Sequence, residues 1–207
     1  MLVLNLAAYA ALVLSAVGAF LGLRRWAQLR PSQRWFSLYL LGSFIIGLAL
    51  AITACLHIKN WLLMNAWSCW IAVTLGPAIS ERLLSRDRYI ARALFTLWLV
   101  AWISARVFTG FSSWEGYLHP ILCGLLLGVG MSAFDQIIKD DLPFWRNGQA
   151  ILVVAASLMA ACDAVTWASM RLYTPATNAG FVSVWTARNL AMLPVSALYL
   201  LAFQVSE

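Results

Sequence analysis

Asp163 most needs a chemical explanation, because it interrupts an otherwise uncharged stretch of small and apolar residues that runs from Gly148 to Met170. A lone carboxylate in such a stretch costs roughly 2.5–3.5 kcal/mol to place in a membrane, so it must be protonated, paired or beside water. Arg106 and Arg188 interrupt two other apolar stretches, and either could supply the counter-charge. Two guanidiniums beside one carboxylate would leave one for an anion, since Arg grips a carboxylate or phosphate through two parallel hydrogen bonds. Asn65 and Asn189 add amides to this candidate ligand-binding set. Two plainer readings compete: an ion pair that only fixes packing, and Arg188 extending to a nearby surface.

The two histidines, His57 and His119, fall in the same expected half of the molecule as Cys55, Cys69, Cys123 and Cys162. His119 and Cys123 are four residues apart and share a helix face. His57, His119 and Cys123 are therefore the candidate ligands for a soft metal. Their spacing is not that of a zinc site and C-x-x-C is missing, so no metal or other cofactor is expected. Nucleophile elbows, H-E-x-x-H and phosphate-binding loops are missing too, and no enzymatic activity is expected.

The elements that must carry these residues follow from composition. Hydrophobic residues make up 63% of the 207 and charged residues 11%, where a soluble domain carries about 25% charge. A soluble core cannot hide that much apolar surface, so lipid is the expected solvent. Seven apolar runs, at 2–23, 35–57, 61–80, 89–111, 116–135, 148–172 and 182–205, lie near the ~20 residues that a helix needs to span hydrocarbon. Helices are the choice because unpaired backbone groups in lipid are costly. The expected fold is thus an all-α integral membrane protein, one domain of about seven transmembrane helices.

Basic residues orient it. Ten of them (Arg24, Arg25, Arg30, Arg34, Arg82, Arg86, Arg88, Arg92, Lys139 and Arg146) would lie on one side. Four (Lys59, Arg106, Arg171 and Arg188) would lie on the other. The positive-inside bias then places the N-terminus outside and the C-terminus in the cytoplasm of a plasma or inner membrane. The net charge of +6 is spread over short gaps, which argues against a nucleic-acid partner. The expected partners are the bilayer and a second copy or another membrane subunit. Gly124 and Gly128 form a G-x-x-x-G suited to close helix approach, within the bundle or with such a subunit.

One internal echo is visible. Trp61 and Asn65 open the third run with W-x-x-x-N, Trp185 and Asn189 repeat it in the seventh, and Pro77 and Pro194 follow. Runs one to three and five to seven would then form two parallel repeats joined by the fourth, a transporter plan. Coincidence in a chain with 11 Trp is the alternative. The leading expectation is a small-solute or ion transporter or channel with a polar pocket in the outer half of the bundle. A membrane sensor or accessory subunit of a larger complex is the second reading, and an intramembrane enzyme acting on lipid the third.

Overall fold

The computed structural model describes residues 2–56, 60–110, 118–139, 144–172 and 178–204. His57, Lys59 and most of the connection before the seventh helix lie outside the described residues. Seven α-helices carry the chain: α1 (Leu2–Arg24), α2 (Pro31–Cys55), α3 (Trp61–Ser80), α4 (Ser85–Thr109), α5 (Leu118–Ile137), α6 (Gly148–Leu172) and α7 (Asn178–Gln204). No strand occurs among the described residues. All but α1 are long and apolar enough over their described residues to cross a membrane. Apolar side chains such as Phe20, Ile45, Leu97 and Val107 cover the exterior, so the protein is a multi-pass helical membrane bundle.

Several helices start earlier than the uncharged runs, because a polar first turn can be helical outside the hydrocarbon. Pro31 occupies the first turn of α2, where its missing N–H costs nothing. The Gln33 side chain there accepts from Arg30 N at 3.1 Å. Asn147 caps α6 by accepting from Ala150 N at 3.0 Å, satisfying an otherwise orphaned donor. Gly110, at φ 79°, ends α4 in the left-handed region open to glycine.

The helices close into a ring in the order α1, α2, α3, α5, α6, α7 and back to α1. Helix α4 lies outside it, against α3 and α5. It buries one stripe, Ala91, Phe95, Trp98, Trp102 and Arg106, so the Trp98–Trp102 pair is packing surface. The helix ends repeat along the chain. Pro31 to Gly148, Cys55 to Leu172, Trp61 to Asn178 and Pro77 to Pro194 are each the same 117-residue step, which puts α2 in register with α6 and α3 with α7. A single 3-10 turn precedes α2 (Trp26–Gln28) and recurs before α6 (Phe144–Arg146). The prolines of the sequence echo are therefore in register. The Trp–Asn pairs are not: Trp61 is the first residue of α3, whereas Trp185 lies two turns into α7.

Close packing is concentrated where glycine admits it. A Cβ on Gly42 would sit 2.0 Å from Trp70 Nε1 and 2.1 Å from its Cε2, and that indole donates to Tyr39 O at 3.3 Å. Gly124 and Gly128 meet nothing within 4 Å, so their motif makes no close helix contact within the bundle. Gly42→Ala should therefore cost about 1–3 kcal/mol through overpacking. Gly124→Ala and Gly128→Ala should stay within about 0.5 kcal/mol of wild type, as surface changes do. Thermal unfolding of the three variants in one detergent checks this ranking.

Candidate ligand-binding cavity

The ten basic residues gather at one end of the bundle, where α2, α4 and α6 begin. That end is tightly closed. Gln149 Nε2 donates to Ser32 Oγ at 3.0 Å, and these two residues are themselves one 117-residue step apart, so equivalent positions of the repeat touch each other. Deeper in, Tyr39 and Tyr199 direct their hydroxyls at Met159 Sδ, at 2.8 and 3.6 Å. Phe36 packs on Tyr199 and Phe203 with ring centroids 4.5 and 5.7 Å away.

Above this floor the ring opens into a cavity of about 710 Å³ that reaches Cys55 at the far end of α2. All six ring helices line it and α4 does not. Asp163 from α6 stands in its wall, 1% exposed. Arg188 Nε of α7 donates to Asp163 Oδ1 at 2.6 Å. His119 Nε2 of α5 lies 3.7 Å from Asp163 Oδ2, too far for a hydrogen bond. The other ring nitrogen, Nδ1, is 2.8 Å from Ser68 Oγ of α3. Trp167 packs beside the imidazole, ring centroids 4.8 Å apart.

A rise count explains why these side chains meet. Measured from the basic end at 1.5 Å per residue, Asp163 lies at about 22 Å, Arg188 at about 24 Å and His119 at about 27 Å. Arg106 lies about 32 Å up, on the helix outside the ring. It is buried against Trp102 with its guanidinium 6.0 Å from the ring centroid, and Nη1 is 3.5 Å from Gly110 O. Arg188 is thus the partner of Asp163. Asn189 lines the cavity beside it, while Asn65 is buried in α3 away from the lining.

The residues expected for a metal are arranged differently. Cys123 is buried, all four cysteines are thiols, and the described residues contain no group of three potential ligands. Ser68, Tyr39, Tyr199 and Trp167 were not singled out by sequence reasoning. Ser and Tyr within an apolar helix carry no signal until the facing helix is known; for His119 the signal was its depth.

No family model, curated protein or solved structure matches the chain. Fold and site define its class: a multi-pass membrane protein with a ring of six helices around a polar cavity.

Proposed function

We propose that this chain is a small-solute carrier whose substrate site is the cavity at Asp163, Arg188 and His119. The observation that carries the reading is the cavity itself, about 710 Å³ and closed at one end by contacts of α2 with α6 and α7. Its volume lies within the ~300–1,000 Å³ of small-molecule sites. A buried ion pair in its wall supplies the few polar groups that orient a ligand. Parallel repeats give a carrier two halves, one of which rocks against the other around a fixed site. The ten basic residues at the closed end support a cytoplasmic assignment for that end, so the cavity faces outward in this conformation.

Ser196 tests this, because it lines the cavity two turns past Arg188. In a background lacking the four native cysteines, Ser196→Cys in oriented vesicles should react with a membrane-impermeant thiol reagent applied outside. It should also react, more slowly, with reagent applied inside. Labelling from one side only would describe a fixed pocket, as in a sensor or an accessory subunit, and would remove the carrier reading.

A further inference from the structure

The polar cluster is neutral as it stands. Asp163 and Arg188 cancel, and His119 is held by Ser68 through Nδ1 while its Nε2 is buried without a hydrogen-bond partner among the described residues. His119 is 2% exposed and lines the cavity. A buried nitrogen without a partner is costly, and in the tautomer whose Nδ1 donates to Ser68 Oγ, a proton on Nε2 would supply a donor directed at Asp163 Oδ2, 3.7 Å away.

We infer that the cavity takes up a small organic monocarboxylate together with one proton, the carboxylate on Arg188 and the proton on His119. This rests on the reading of the cavity as a substrate site. In the loaded state the proton forms an N–H bond on the imidazole, whose two nitrogens then donate to Ser68 Oγ and Asp163. Asp163 exchanges its Arg188 hydrogen bond for one from His119, and the guanidinium turns to the ligand. Net charge is zero before and after, which a low-dielectric site demands. A ligand of zero net charge passes this count without a proton, so proton uptake is what separates it from the acid; other net charges fail it. A cation that displaced Arg188 from Asp163 would leave the site positive. A phosphate monoester, at about −1.5 to −2, would leave it negative after one proton. The body of the ligand meets Trp67, Trp167, Tyr39, Tyr199 and Met64, so it is apolar or aromatic.

The ionisable groups around His119 are few. Asp163 faces the cavity from α6, Arg188 and Tyr199 from α7, Tyr39 and Cys55 from α2 and Tyr9 from α1, with Cys162 on α6 and Cys123 on α5 close enough to feel the charge of Asp163. Helix α4 contributes Trp98, which donates to Leu118 O, and Arg106 near Gly110.

The carboxylate could come from water or, as a fatty acid, from the bilayer. Calorimetric titration of the full chain in a nonionic detergent separates these, using phenylacetate, phenylacetamide, phenethylammonium and dodecanoate in two buffers of different protonation enthalpy. Phenylacetate should bind with about one proton taken up, and its affinity should fall as pH rises. Tighter binding of dodecanoate with the same proton uptake would support the inference and assign the bilayer as the source. His119→Gln should bind phenylacetate at least about tenfold more weakly, with no proton uptake and a flat pH profile. Ser68→Ala, a milder change, should move the pH profile while keeping one proton per ligand. Binding without proton uptake, amide binding equal to the acid, or preference for the ammonium would overturn the inference while leaving the cavity a binding site. Binding of none of the four would overturn it too, and two-sided labelling at Ser196→Cys would still uphold the carrier.

Discussion

Asp163→Asn is expected to lower stability by about 3–5 kcal/mol, the usual cost of removing one member of a buried ion pair. The substitution keeps volume and removes charge, so Arg188, whose side chain is 16% exposed, stays among apolar neighbours without its counter-ion. Arg188→Gln should cost less. Asp163 would then retain His119 at 3.7 Å, and a proton on the imidazole restores a neutral pair. Asp163→Asn/Arg188→Gln should recover much of the loss, since no orphan charge remains. Unfolding of the four proteins in one detergent at pH 6 and 8 closes the cycle. Additive losses in the double variant would mean that the 2.6 Å contact contributes nothing as a pair.

On the proposed carrier reading, locking the closed end should abolish transport. Ser32 and Gln149 meet at the first turns of α2 and α6 with 3.0 Å between side-chain atoms, and no other described contact at that end joins two residues one repeat apart. In the cysteine-less background, oxidised Ser32→Cys/Gln149→Cys should label at Ser196→Cys from the outside alone. Reduction should return labelling from the inside. The expected loss is complete, because a covalent link between the two repeats blocks the rocking of one half against the other. Inside labelling that persists after full oxidation would show that the two halves do not separate there.

Which features were legible from the chain, and which were not, depends on the physics of apolar helices. Seven runs of about twenty apolar residues dictate seven helices, because lipid leaves the backbone no other partner. Their boundaries came out within a few residues, the errors lying in polar first turns such as Pro31–Arg34 that remain helical beyond the apolar run. A carboxylate at Asp163 likewise demands a counter-charge wherever the helices go. Neighbours are another matter. Helices such as α1, α2, α3 and α7 are apolar on nearly every face, so no amphipathic stripe states which side turns inward. Packing shape decides it, through sites such as Gly42 against Trp70. Only the folded ring therefore selects Arg188 over Arg106, puts His119 beside Asp163, and sets α4 aside. It also shifts the repeat from the Trp–Asn pairs to the prolines, since equivalence in a bundle is fixed by helix ends and contacts, and a shared dipeptide spacing reports neither.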